Sequence, residues 1–93
     1  MTIHPGYQIT VKGRVQGVGF RYYTLHKAKS LDLTGFVKNL ANGDVYIEAY
    51  GHEHQLEIFL DWCRKGPSTS SVISCEYHKI ESEQIMRSFQ IQH

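Results

Sequence analysis

Glycine and arginine residues near the N-terminus are spaced as a phosphate-binding loop requires. Gly13, Gly17 and Gly19 lie within seven residues, and Arg21 follows the last of them by two positions. Glycines let the backbone curl until several N–H groups face inward and form a concave anion site. The planar guanidinium of Arg21 can donate to two oxygens of one phosphoryl group. The spacing therefore predicts a site that binds phosphate.

A strand and a helix must flank this loop to position it. Alternating apolar and polar side chains predict a half-buried strand over residues 7–12. Apolar residues at helical spacing then predict a first helix over residues 20–31. An anion at the start of that helix would meet free backbone N–H groups and the positive end of the helix dipole.

The rest of the chain also shows strand alternation and helical spacing. Further strands are predicted over residues 35–40, 44–50, 72–77 and 88–91. Asn42-Gly43 favours a hairpin turn between the first two of them. Four residues mark the apolar face of a second helix: Leu56, Phe59, Leu60 and Cys63. Gly66-Pro67 ends that helix, and residues 80–87 show no clear pattern.

This order of elements fits a split βαβ arrangement. It predicts an α+β fold, a ferredoxin-like βαββαβ sandwich with two helices packed on one antiparallel sheet and an extra C-terminal strand. Strands one and two then point the same way with strand three between them, and their ends lie roughly 10 Å apart at one sheet edge. Asn39, near the end of strand two, is therefore expected to face the loop of residues 14–19.

Two stretches together give the chain a specific resemblance to a known family. They are residues 11–21 (VKGRVQGVGFR) and residues 35–45 (GFVKNLANGDV), the second followed by Gly51. With Gly66-Pro67 after the second helix, the chain resembles the acylphosphatase family from residue 7 to residue 91. The expected organisation is a single acylphosphatase-like domain over residues 1–93.

The resemblance implies hydrolysis of a small acyl phosphate to a carboxylate and inorganic phosphate by direct in-line attack of water. Arg21 and Asn39 are then the catalytic residues: Arg21 and the loop N–H groups hold the phosphoryl oxygens, and Asn39 orients the water. The phosphate-binding residues implied are Val15, Gln16, Gly17, Val18, Gly19, Phe20 and Arg21. The weakly basic carboxylate leaves without a strong general acid. Family members need no metal, so neither a cofactor nor a metal-binding residue is expected, and phosphate or sulfate should compete with substrate.

Each of these residues also has a structural interpretation. Without Arg21 and Asn39, the glycines would be interpreted as a strand-to-helix turn, and Arg21 could be a surface residue of the helix. Asn39 could favour a turn, although Asn42 is better placed for that role. The Gln16 side chain is expected to stabilise the loop or to face water. Asp32 stands where family members commonly have glycine, and this position is expected to need left-handed backbone geometry.

Histidine and cysteine residues point to no further chemistry. His52 and His54 are two positions apart near the start of a helix, which puts them on different faces and disfavours a zinc site. Cys63 and Cys75 lack the spacing of a redox motif and are expected to be reduced, buried thiols, with a bridge between them left open.

Composition and charge bound the class of protein. Hydrophobic residues make up 41% of the 93 residues and charged residues 20%, as in soluble globular chains. Residues 1–43 carry six basic side chains and one acidic, whereas residues 44–93 carry four basic and eight acidic, so the N-terminal half favours an anionic ligand. The sequence has no long apolar span and no signal peptide, which predicts a cytoplasmic protein without membrane contact, expected to be a monomer.

Two other functions fit a ferredoxin-like fold. An RNA-binding domain would need an RNP-like signature, which the sequence lacks, so no nucleic-acid partner is expected. The second is a phosphate- or carbamoyl-phosphate-binding module, like the acylphosphatase-like domain of hydrogenase maturation proteins. That domain belongs to a longer chain and often has proline after the motif arginine, where this chain has Tyr22.

Overall fold

Five strands and two helices make up the computed structural model, which describes residues 2–84 and 86–93. The strands are β1 (His4–Arg14), β2 (Thr34–Asn39), β3 (Val45–Tyr50), β4 (Ser71–Ser82) and β5 (Phe89–Gln92). The helices are α1 (Phe20–Ser30) and α2 (Glu53–Lys65). Neither helix in the described part of the chain is long and apolar enough to cross a membrane.

All seven predicted elements are present, but two strands are longer than their alternation predicts. β1 extends beyond residues 7–12 at both ends, and β4 continues five residues past residue 77. The first residues of the segment 80–87 therefore belong to β4, and Ile85 lies outside the described residues. β4 is an edge strand whose residues are mostly exposed, so its second half shows no apolar alternation to detect.

The strand order of the sheet is β4-β1-β3-β2-β5. β3 pairs antiparallel with both β1 and β2, so β1 and β2 run in the same direction, as predicted. Their C-terminal ends therefore reach the same edge of the sheet. The predicted extra C-terminal strand is β5, which pairs parallel with β2 and makes the sheet mixed.

The hydrophobic core lies between one face of the sheet and the two helices. The strands contribute alternate residues, among them Ile9, Val11, Val37, Val45 and Ile47, all without exposed surface. The predicted apolar face of α2 is confirmed, since Leu56, Phe59, Leu60 and Cys63 are all buried. Fully burying one such side chain stabilises the fold by about 1.5–3 kcal/mol. This core holds β1, α1 and β2 in fixed relative positions.

The hairpin between β2 and β3 turns at the predicted Asn42-Gly43. The Leu40 N–H donates to the Asp44 carbonyl at 2.8 Å, and the Gly43 N–H donates to the Leu40 carbonyl at 3.2 Å. Gly43 has φ 98°, and the Asn42 Oδ1 accepts from the Asp44 N–H at 3.0 Å. The turn therefore closes without Asn39, the last residue of β2.

Candidate active site

The loop between β1 and α1 has the backbone geometry of an anion site. Gly17 has φ 74° and Gly19 has φ 80°, values in the left-handed region that glycine adopts without a steric penalty. Gly19 is the N-cap of α1, and the described first turn of that helix contains neither an acidic residue nor a side-chain cap. The first N–H groups of α1 and its dipole are thus left to attract an external anion.

Gly13 has a different position from the other two glycines. It lies within β1, at a shift in the register between β1 and β4, with φ 128°. A Cβ at this position would lie 2.8 Å from the Ile73 backbone nitrogen. Gly13 therefore lets β4 approach β1 closely, and the loop's anion geometry comes from Gly17 and Gly19.

A pocket of about 170 Å³ lies where this loop meets the ends of β2 and β5. It is lined by Val15, Gly17, Gly19, Phe20, Arg21, Tyr22, Asn39, Ile91 and His93. The parallel course of β1 and β2 thus brings Arg21 and Asn39 to one pocket. Of the predicted phosphate-binding residues, Gln16 and Val18 do not line it.

The Gln16 side chain stabilises the loop, which is one of the two alternatives predicted for it. Its Nε2 donates to the carbonyl oxygens of Leu40 and Asp44, both at 2.8 Å. Lys12 adds a second tie, since its Nζ donates to the Asp44 Oδ2 at 2.9 Å, and this hydrogen bond raises the pKa of Lys12. The contacts of Gln16 and Lys12 hold the β2–β3 hairpin, which follows Asn39, against β1 and the loop that precedes Arg21.

Asn39 lines the pocket, and its amide carries one unsatisfied polar atom. Its Oδ1 is buried and accepts no hydrogen bond from the described residues. Leaving such an atom unpaired costs about 1–3 kcal/mol, so a donor at this position is favoured. A turn of the amide about its Cβ–Cγ bond would bring Oδ1 to the pocket, where a water molecule is a suitable donor. Thr34 Oγ1 shares the property but does not line this pocket.

Other residues at the site are not predicted by the motifs. His93 Nδ1 lies 3.4 Å from Arg21 Nη1, and Ile91 lines the pocket beside it. Both reach the site because β5 pairs with β2, and a strand's partner cannot be read from its own alternation. Thr69 contacts the loop, donating from Oγ1 to the Val18 carbonyl oxygen at 2.8 Å. No spacing in the sequence indicates that contact.

The two cysteines are free thiols, and the bridge left open by the sequence is not formed. Cys63 is buried as predicted, whereas Cys75 is only half-buried. Burial raises the pKa of the Cys63 thiol well above its usual value and also raises that of Cys75. Both are therefore protonated and weakly nucleophilic at neutral pH. Within residues 2–84 and 86–93, no three His, Cys, Asp or Glu side chains gather closely enough to hold a metal ion.

Comparisons with known proteins identify relatives of this chain in sequence and in fold. The acylphosphatase of Vibrio cholerae serotype O1 (strain ATCC 39315 / El Tor Inaba N16961) is 46% identical over 81 residues, 87% of this chain and 89% of the relative. The crystal structure of acylphosphatase from Bacillus subtilis matches with a TM-score of 0.87 and 37% identity, covering 96% of this chain and 99% of that chain.

A larger protein contains a similar fold. Full-length HypF, crystallised in a phosphate- and nucleotide-bound form, matches 99% of this chain with a TM-score of 0.84 and 29% identity. The match covers only 12% of that much longer chain. The family model named Acylphosphatase matches residues 7–91, from the middle of β1 into β5. A match over that span, joined to the Vibrio and Bacillus likenesses, places this chain in the acylphosphatase family.

Proposed function

We propose that the protein is an acylphosphatase, hydrolysing small acyl phosphates to a carboxylate and inorganic phosphate. The observation that carries the proposal is one pocket lined by Arg21, by a loop with left-handed Gly17 and Gly19, and by Asn39, whose Oδ1 has no donor among the described residues. An anion binder needs only the first two. A carbonyl oxygen able to accept from a water beside a phosphate site suits hydrolysis.

In this proposal the phosphoryl oxygens are bound by the guanidinium of Arg21 and by backbone N–H groups of the loop residues that line the pocket: Val15, Gly17, Gly19 and Phe20. A water molecule donates to Asn39 Oδ1 and attacks phosphorus in line with the acyl oxygen. The bond between phosphorus and the acyl oxygen breaks, and the carboxylate leaves with the electron pair. The water's proton passes to the phosphate product or to solvent, because a neutral amide does not act as a base.

We further propose that this chemistry is carried out by residues 1–93 acting as a single domain and a monomer, in the cytoplasm and without a metal ion. The support is that one chain supplies every group in the scheme. The acyl leaving group also needs no strong acid or Lewis acid to depart.

The second candidate is an anion-binding module that holds phosphate or carbamoyl phosphate without turning it over. It is favoured by the likeness to HypF, whose crystal structure is a phosphate-bound form. The two candidates share the loop and Arg21 but differ in what they require of Asn39. Only hydrolysis needs an oriented water.

The test is the rate of benzoyl phosphate hydrolysis, followed with and without EDTA, and with increasing sulfate. We expect turnover that EDTA leaves unchanged and that sulfate inhibits competitively. Sulfate binding without turnover would favour the second candidate. Loss of turnover in EDTA, with recovery on adding a divalent metal, would contradict the metal-free scheme.

A further inference from the structure

Thr69 lies outside the pocket but contacts the loop that lines it. Its Oγ1 donates a 2.8 Å hydrogen bond to the carbonyl oxygen of Val18. The two residues are 51 positions apart, so the fold and not the chain brings them together. The carbonyl of Val18 and the N–H of Gly19 belong to the same peptide unit. A contact on one end of that unit therefore controls the other end.

The orientation of this peptide unit matters for anion binding. The peptide bonds among the described residues are all trans, so the Val18 carbonyl and the Gly19 N–H project in opposite directions. Gly19, with φ 80°, tolerates both signs of φ, which makes rotation of the unit easy unless something holds it. A rotated unit would turn its carbonyl oxygen, instead of its N–H, toward an anion in the pocket.

The segment that carries Thr69 is itself held firmly. The backbone N–H and the hydroxyl of Ser70 both donate to the Pro67 carbonyl, at 2.9 and 2.7 Å, which closes a tight turn. Gly66 packs so closely on α1 that a Cβ there would lie 2.8 Å from Cε2 of Phe20. The turn that carries Thr69 is therefore held in place beside Phe20, the buried first residue of α1. Thr69 contacts the loop from this fixed position.

We propose that Thr69 is a positioning residue that holds the Gly19 N–H toward the bound phosphoryl group by fixing the Val18 carbonyl. The inference rests on the function proposed above for the same pocket. Loss of the hydroxyl is expected to weaken anion binding about fivefold, the effect of one neutral hydrogen bond. Because substrate and transition state both use this N–H, KM should rise more than kcat falls.

The experiment compares the parent with Thr69→Val, Thr69→Ser and Ser68→Ala, an exposed neighbour that serves as the matched control. Sulfate is titrated while the amide resonance of Gly19 is followed by NMR, and KM and kcat are measured with benzoyl phosphate. We expect Thr69→Val to bind sulfate about fivefold more weakly, with a smaller Gly19 shift. Thr69→Ser keeps the hydroxyl and should keep the parent's sulfate affinity and Gly19 shift. Ser68→Ala should match the parent in both measurements.

Thermal unfolding of each variant separates positioning from stability. A lower Tm for Thr69→Val with unchanged sulfate affinity would overturn the positioning role and leave the proposed function standing. A parent protein that neither hydrolyses benzoyl phosphate nor shifts its Gly19 amide in saturating sulfate would overturn both the positioning role and the proposed function. The two failures are therefore distinguishable.

Discussion

At the scale of single residues, substitutions of Arg21 test whether the reaction needs the planar guanidinium or only a positive charge. A lysine keeps the positive charge but loses the planar fork that can bind two phosphoryl oxygens. We expect Arg21→Ala to lower kcat/KM by about 10²–10³, the usual effect of removing an electrostatic stabiliser, and Arg21→Lys to recover little of it. Steady-state kinetics with benzoyl phosphate measure both.

The control for this pair is Arg64→Lys. Arg64 lies on the exposed side of α2 and pairs with Asp61 at 3.1 Å, away from the residues that line the pocket. This variant should retain the parent's kcat/KM. An Arg21→Lys enzyme within a few-fold of the parent would mean that net charge alone suffices.

Substitution of Asn39 should lower turnover and leave phosphate binding nearly unchanged. Asn39→Ala removes the Oδ1 that would accept from the attacking water, so kcat and kcat/KM should fall together while the Kd for phosphate stays within a few-fold. The free energy of unfolding should not decrease, because the atom removed is buried without a partner.

Asn42→Ala is the matched control and should show the opposite pattern. Its side chain bonds Asp44 in the hairpin turn, so its loss should lower Tm by about 4–8 °C per kcal/mol lost while the folded protein keeps its turnover. An Asn39→Ala protein that is active, or inactive only because it unfolds, would contradict the role given to Asn39.

At the scale of elements, the C-terminus of α1 carries a backbone conformation that aspartate adopts at a cost. Asp32 has φ 56°, as the comparison with the family's glycine predicted, and its N–H and that of Leu33 donate to carbonyls in the last turn of α1. Asp32→Gly should therefore raise the free energy of unfolding by up to about 1 kcal/mol. Asp32→Ala should lower it, since alanine adopts the left-handed conformation at a higher cost than aspartate does.

Urea unfolding of the two variants beside the parent measures the difference, provided that the m-values agree. The position is remote from the pocket residues, so kcat/KM should be unchanged in both. Equal stabilities for Asp32→Gly and Asp32→Ala would show that the left-handed conformation costs nothing here.

The sequence predicts the helices and strands better than it predicts the side-chain contacts between them. Helical and strand periodicity located α1, α2 and all five strands, and the Asn42-Gly43 signal located the hairpin. That Arg21 and Asn39 lie close together could be predicted, because each belongs to a local motif and the strand order brings the two motifs to one end of the sheet. The contacts of Thr69 and His93 could not, because each depends on segments far apart in sequence that only the packed fold brings together. The length of β4 was also missed, since an exposed edge strand has no apolar alternation.

At the scale of the whole molecule, stability should decline in alkaline solution. Burial raises the pKa of Cys63 above its usual 9.0, and burial followed by a hydrogen bond to Glu48 raises those of Tyr46 and Tyr50 above 10.0. The unfolded chain loses these protons at lower pH than the folded protein. The stabilisation is therefore complete below about pH 8 and falls as pH rises through 9 and 10.

Urea unfolding between pH 7 and 11 measures this slope. Cys63→Ala lowers stability at every pH by leaving a cavity, but it should flatten the decline between pH 9 and 10. Tyr46→Phe should flatten the decline only above pH 10. A parent whose stability is constant from pH 7 to 11 would show that these groups titrate alike in the folded and unfolded chains.

The strand order has a consequence for the time course of folding. In the described sheet, only β2 and β3 are both paired and consecutive in the chain; the other pairings join segments separated by at least one helix or strand. Such sheets lose loop-closure entropy before their contacts form, so they fold more slowly than helical bundles of similar size. The pocket needs the ends of β1, β2 and β5 together, so a partly folded chain lacks it. Recovered turnover should therefore mark the completion of folding and not an earlier stage.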